Sequence, residues 1–338
     1  MPARRPGGWE PRSSTRCVRW WKPMGAERIP LPWQRPQWAG LVELANAGRL
    51  PHALLLAGPS GTGKTALAKR LAELVLCAQS GDQPCGRCRN CCLTAAGSHP
   101  DLVNVRPEEP GKAILIEAVR TLRDFCAARP HQGGWRVALI EPAEALNHSA
   151  ANALLKTLEE PGGRTLLLLI AHRPGHLPAT IRSRCRLLRF PEPDRQAALT
   201  WLRERLPERQ DLEQLLHHAG GRPLRALALS DARRIEQVAR LRELAEAIAG
   251  GSMAPADAAP EAAGLEWELA SDALAILLRE HARSALAERG APQPAVFRCF
   301  DELVRAHRER AANANLSAEL VWDRLWLAWR RAAAAGSG

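Results

Sequence analysis

The chain has 338 residues, of which 46% are hydrophobic and 25% charged, and 47 Lys and Arg against 36 Asp and Glu give a net charge of +11. That length accommodates two or three domains with cores of their own, and the absence of any run of about 18 apolar residues argues against a channel or transporter. A soluble, cytoplasmic protein without a membrane partner is expected.

Residues 1–26 are rich in Pro, Gly, Ser and Arg, show no apolar period and lack the apolar core of a secretory signal, so an unfolded basic extension is expected. Arg4, Arg5, Arg12, Arg16, Arg19 and Lys22 stand there against Glu10 alone, which places nearly half of the charge excess outside any folded domain. Three readings stay open for this extension: an arm that touches DNA, a natural start at Met24, and an organelle transit peptide. The segment 29–50 reads as an extended approach and one short helix. Its Trp33 and Trp38 either cover a nucleotide pocket or pack in the core.

The stretch 53–77, ALLLAGPSGTGKTALAKRLAELVLC, organises the chain. Residues 53–57 are short, apolar and uninterrupted, as suits a buried parallel strand, and the alternation after Lys64 suits an amphipathic helix. Between them Gly58, Pro59, Ser60, Gly61, Thr62, Gly63, Lys64 and Thr65 spell G-x-x-x-x-G-K-[ST]. Strand, glycine turn and helix are the context of a phosphate-binding loop: glycines let backbone N–H groups face a phosphate, and the helix N-terminus adds its dipole. Lys64 would reach the β and γ phosphates of ATP or ADP, and Thr65 would hold Mg²⁺.

Cys77, Cys85, Cys88 and Cys91 follow as C-x7-C-x2-C-x2-C, with Cys92 directly after. Overlapping C-x2-C steps in a Gly-containing loop place four thiolates within reach of one tetrahedral ion and leave no open position for a catalytic water. Structural zinc is the reading this supports. Disulfides are the alternative, but the remaining cysteines (Cys17, Cys126, Cys185, Cys299) are scattered and a reducing compartment is expected.

The α/β alternation continues: strand 102–105, helix 114–128, strand 136–141, helix 149–160 ended by Pro161, and strand 165–171. An α/β fold with a doubly wound parallel sheet is predicted. In ATPases with such a cradle, an Asp at the end of the strand RVALIE would order water around Mg²⁺ and a following Glu would polarise the attacking water. Here Glu141 and Pro142 fill those places, and proline cannot act as a base. Glu144, two residues further on, is expected to point elsewhere. Nucleotide binding with little or no hydrolysis follows.

After Phe190 the sequence becomes helical. Helices at 196–206, 212–218 and 223–229 are expected to form a small lid at 191–230. Helices at 233–249, 265–289, 295–310 and 317–331, with an Ala/Pro-rich loop at 250–264, fill a region 231–335. Trp322, Trp326 and Trp329 recur at i, i+4 and i+7 and line one helix face, either as an intersubunit seam or as a core. His217 and His218, adjacent on a helix, are poor metal ligands. Arg203, Arg205 and Arg209 read as a solvated helix face, and no base-reading motif is present.

The cysteine module inserted after the first helix, the segment NALLKTLEEPG and the triplet Ser183-Arg184-Cys185 together resemble the clamp-loader branch of the AAA+ ATPases, and within it the delta-prime type of subunit. The resemblance runs from about Ile29 to the last helix. It implies an AAA+ domain at 27–190 with a zinc module at 77–91, the helical lid, and a collar of helices at 231–335 that packs beside those of its partners. Those partners would be tau/gamma and delta clamp-loader subunits, a sliding clamp reached through the complex, and primed DNA contacted through phosphates. Arg184 matches the arginine finger of the family, which reaches the γ-phosphate held by a neighbour. Ala171 with His172, and Leu224 with Arg225 one place away, stand where hydrolysing members carry phosphate-sensing residues. The implied role is a stator subunit loading the clamp in DNA replication, as part of a DNA polymerase holoenzyme, with little or no ATPase activity of its own. The alternative is a self-sufficient ATPase motor resembling tau/gamma, which would use the intact loop 58–65 itself.

Overall fold

The computed structural model describes residues 30–334 apart from 80, 110, 133, 290–293 and 312–316. The basic extension at 1–26 and Cys17 lie outside the described residues. A helix α1 (Arg35–Asn46) leads into strand β1 (Ala53–Ala57) and helix α2 (Lys64–Leu76); the cysteine segment follows and ends in a short helix α3 (Arg89–Ala95). Strand β2 (Leu102–Val105), helix α4 (Ile116–Ala127), strand β3 (Arg136–Ile140), helix α5 (His148–Glu159), strand β4 (Thr165–Ala171), helix α6 (Ala179–Arg182) and strand β5 (Arg186–Arg189) complete the α/β part.

The five strands form one parallel sheet in the order β2-β3-β4-β1-β5. β1, β3 and β4 are buried along their whole length, which is why their sequences are unbroken apolar runs instead of alternating ones. The pleat splits them between two layers. Leu54, Leu56, Val137, Leu139, Leu166, Leu168 and Ile170 pack with Trp38 and Leu41 of α1 and Leu67 and Leu71 of α2. Ala53, Leu55, Ala138, Ile140, Leu167 and Leu169 pack on the other face with Val119 and Leu122 of α4 and Leu154 and Leu158 of α5. The doubly wound α/β fold expected from the sequence is therefore present, and β1 sits where the strand order reverses, with its C-terminal end open to the glycine loop.

Helices α7 (Arg195–Arg205), α8 (Leu212–His218), α9 (Pro223–Ala228), α10 (Ala232–Ala249), α11 (Pro255–Ala263), α12 (Trp267–Arg289), α13 (Pro294–Ala311) and α14 (Ala318–Ala334) follow. One continuous apolar cluster runs through all eight and takes in Leu31 from the lead-in. No helix among the described residues is long and apolar enough to cross a membrane.

Two expectations change and one alternative is decided. Helix α4 begins at Ile116, not at Ile114, because Ile114 pairs with Leu146 in a parallel bridge. The segment 250–264, read as a loop, contains helix α11: Pro255 sits in the first turn, where a missing N–H costs nothing, and Ala258, Ala259 and Ala262 are buried in the cluster shared with α14. Packing of small side chains carries the helix through Pro260. Finally, the tryptophan stripe on α14 belongs to the core: Trp322 is 1% exposed and Trp326 is fully buried, and Trp329 donates from Nε1 to the carbonyl of Ala245 at 2.8 Å.

Candidate functional site

The glycine loop joins β1 to α2 at the C-terminal end of the sheet, with Lys64 as the first residue of the helix. Gly63 is its N-cap with φ of 88°, a left-handed conformation that favours glycine, and a Cβ there would press on Gln34 and Leu31. A Cβ at Gly58 would collide with the backbone carbonyl of Phe190, so the turn is fixed by close approach as well as by conformation. Thr62 turns its carbonyl to Trp33 Nε1 and Gln34 Nε2, each at 3.0 Å. Trp33 thus braces the loop and packs against the helical core, meeting Trp201 of α7 edge-on, while Trp38 is 5% exposed in the core beside the sheet.

Lys64 is 2% exposed, and its ammonium donates to the Pro59 carbonyl at 2.7 Å. Burial pushes its pKa down to about 8, against the opposing pull of Glu144 and Glu141. A buried ammonium at a helix N-terminus, beside a glycine turn, suits a phosphate anion, which would satisfy both charge and donors. The loop therefore fits the phosphates of a nucleotide.

The residues meant for Mg²⁺ are differently engaged. Thr65 donates from Oγ1 to Glu141 Oε1, and Arg106, the residue after β2, donates from Nη2 to Glu141 Oε2. Both oxygens of the carboxylate expected to order the ion's water are bound to protein, so these residues do not fit Mg²⁺ as they stand. Pro142 fills the place of the base. Glu144 is turned to the end of β4, where it accepts from the backbone N–H of His172 at 2.9 Å and of Arg173 at 3.0 Å; burial raises its pKa. His172 is pushed down to about 3, first by burial and then by the charge of Lys64, so it is a neutral imidazole at neutral pH.

Helix α9 and the residue before it meet the loop, in part through residues that sequence reasoning missed. The Leu224 N–H donates to the Gly61 carbonyl at 3.2 Å. Arg222, two residues earlier, directs Nη1 to the carbonyl of Ser60 at 3.4 Å and to its Oγ at 3.5 Å. Arg225 instead pairs with Asp272 of α12. Both arginines are buried, at 4% and 8% exposure. The one signal in the sequence is Pro223: proline in the first turn makes Arg222 the helix N-cap, directed back at the loop. Nothing marks Asp272.

Arg184 follows α6 and is exposed; its side chain bonds Glu159 and the carbonyl of Thr180. Arg186 is in register with Leu54 and Arg189 with Ala57, so Arg184 lies at the N-terminal end of the sheet while the glycine loop leaves the opposite end. At about 3.3 Å per residue, these ends are more than about 10 Å apart. Cys185 beside it is buried, which raises its thiol pKa to about 12.

Cys77, Cys85, Cys88 and Cys91 converge with their sulfurs all within 4.8 Å of one another. Cys77 to Cys88 is 4.0 Å and Cys85 to Cys91 3.9 Å. Four sulfurs at about 2.3 Å from one tetrahedral ion would be about 3.8 Å apart, so the set could hold a metal. Backbone N–H groups donate to the sulfurs, and those of Ala78 and Cys91 push the Cys88 thiol down to about 6. Cys92 is exposed and outside the cluster.

Residues 33–194, the sheet with its cradle and cysteine segment, match the family model for DNA polymerase III, delta subunit. The DNA polymerase III subunit delta' of Pseudomonas aeruginosa is 46% identical over 201 residues, 59% of this chain and 60% of that protein. Over its α/β part the chain is similar to DNA polymerase III delta' subunits. The delta' subunit of Escherichia coli (strain K12) is 42% identical over 200 residues, again 59% of this chain and 60% of the relative. The tau subunit of the same organism is 39% identical over 150 residues, 43% of this chain and 23% of that protein. The chain thus spans about three fifths of the length of the delta' relatives it matches. Helices α7 to α14 lie outside the segment matched by that family model.

Proposed function

We propose that this chain is a delta'-type stator subunit of a bacterial DNA polymerase III clamp loader. It assembles with tau/gamma and delta subunits and helps place a sliding clamp on primed DNA in the cytoplasm. Its contribution to ATP turnover is made in trans, by Arg184. The observation that carries this reading is the register of β5: a guanidinium at the end of the sheet opposite its own cradle serves a nucleotide in another chain or none. A guanidinium at a γ-phosphate stabilises the charge that develops in phosphoryl transfer.

The chain's own cradle binds nucleotide statically. Lys64 and the loop N–H groups hold phosphate, and Pro142 leaves the attacking water without a base. Zinc is the ion proposed for the four cysteines: a closed set of sulfur ligands supplies folding free energy to a polar loop and no Lewis acidity to a substrate. DNA is met through phosphates within the ring, so its binding weakens with salt.

The test is reconstitution with tau/gamma, delta, clamp and primed DNA. Arg184→Ala is expected to slow ATP turnover and clamp loading while the complex still assembles; undiminished turnover overturns the reading. The intact loop 58–65 favours the second reading, a motor sufficient in itself. ATP turnover by the purified chain that disappears in Lys64→Ala would establish that reading instead.

A further inference from the structure

Thr65 and Glu141 are the pair through which a glycine loop of this kind holds Mg²⁺, the hydroxyl on the ion and the carboxylate on its water. In this chain Glu141 offers Oε1 to Thr65 and Oε2 to Arg106. The second contact is built by strand register. Glu141 donates its N–H to the Val105 carbonyl at 3.0 Å, so Arg106 and Glu141 leave adjacent strands side by side. Glu141 is 13% exposed and Arg106 35%, a pair neither fully desolvated nor loosely solvated.

More positive charge surrounds the same carboxylate. Lys69 stands one turn beyond Thr65 on α2; burial and Arg106 lower its pKa while Glu141 opposes them. Lys64 is within the field of Glu141 too. Of the other acids nearby, Glu144 is committed to the backbone N–H groups of His172 and Arg173, and Glu73 to Arg70. A dication arriving here must displace a guanidinium, shed tightly held water and enter a region already rich in cations. A polyanion meets no such opposition.

We propose that this chain binds a nucleoside di- or triphosphate without Mg²⁺, with Arg106 in the place the ion would take. Arg106 holds Glu141 and Thr65 together and supplies the positive charge beside the phosphates. The inference rests on the cradle's binding nucleotide, and is independent of the role of Arg184.

The test measures ADP and ATP binding to the full chain by calorimetry, with Mg²⁺ and with excess EDTA. The wild-type dissociation constant should change by less than about threefold between the two conditions. Arg106→Ala should bind about tenfold more weakly in EDTA, as expected for loss of a charge-assisted contact, and Mg²⁺ should restore its affinity by freeing Glu141 and Thr65 for the ion. Arg106→Lys keeps the charge and should keep the indifference to Mg²⁺. A wild-type chain that loses tenfold or more in EDTA overturns the proposal, and this comparison needs no variant. So does an Arg106→Ala chain that matches wild type in both conditions, and so does absence of nucleotide binding in both. The last result leaves the Arg184 reading standing, because that role is measured on the neighbour's ATP in the assembled complex.

Discussion

Arg184 grips a single carboxylate oxygen of Glu159 within its own chain, with Nη2 at 2.6 Å and Nε at 2.8 Å from Oε1. The pair is open to solvent, at 37% and 49% exposure, so it holds the guanidinium in place at little energetic depth. Such an ion pair can open for a phosphate, which offers the same fork a stronger partner.

The two residues should therefore behave differently in a clamp loader reconstituted as proposed above. Arg184→Ala is expected to lower turnover at the one interface it faces by about 10³-fold or more, the usual worth of a guanidinium supplied in trans. Glu159→Gln should change it by less than about threefold, because an exposed pair contributes about 1 kcal/mol or less. Phosphate release under single-turnover conditions distinguishes them, and a large effect of Glu159→Gln would mean that the carboxylate does more than hold its partner.

Lys64 carries a stability cost of defined sign. Its folded pKa of about 8 lies below the ordinary 10.5, so between these values the unfolded chain binds more protons and stability rises with pH. Below pH 8 the full cost of burying the ammonium is present, on the order of 3 kcal/mol. Lys64→Met should accordingly stabilise the unliganded protein at pH 7 in urea titrations, lose that advantage toward pH 10.5, and abolish phosphate binding. Destabilisation at pH 7 would show that the contact to the Pro59 carbonyl outweighs desolvation.

The cysteine cluster predicts about one zinc per chain by elemental analysis. Cys88→Ser removes a ligand and should release the metal, with loss of α3 and protease sensitivity confined to 77–95. The sheet should survive, because its two apolar layers include none of the four cysteines. Full zinc retention in Cys88→Ser would argue against this site.

Asp272 of α12 ties α9 to the residues that follow β4. It pairs with Arg225 and lies 3.8 Å from Arg173 and 3.9 Å from Arg222. Asp272→Asn leaves buried guanidinium charge without its counterion and should cost about 3 kcal/mol in urea unfolding. A loss below about 0.5 kcal/mol would mean that solvent reaches these arginines in solution.

Much of the α/β part was legible because its signals are local. β2 and β4 have the limits read from their apolar runs, the glycine motif specified its own turn, and the cysteine spacing brought four sulfurs together. Where the reading left alternatives, the outcome depended on docking: Trp38 is core while Trp33 braces the cradle, and the α14 tryptophans face inward because α10, α12 and α13 cover them. Helix α11 was missed because proline is a local stop signal, and the burial that overrides it comes from α14.

By itself the sequence determined which candidate groups the chain carries: a glycine loop of phosphate-binding pattern, a set of four cysteines, Pro142 after Glu141, and an arginine in Ser-Arg-Cys. Each depends on residues within a few positions of one another, where backbone geometry alone dictates what can meet. Only the tertiary structure decided that Arg106 engages Glu141 across 35 residues, that Asp272 engages Arg225 across 47, and that Arg184 stands at the far end of the sheet from its own cradle. Those relationships arise from strand order, register and helix docking, and charges so far apart in sequence carry no mark of the partner that folding will bring to them.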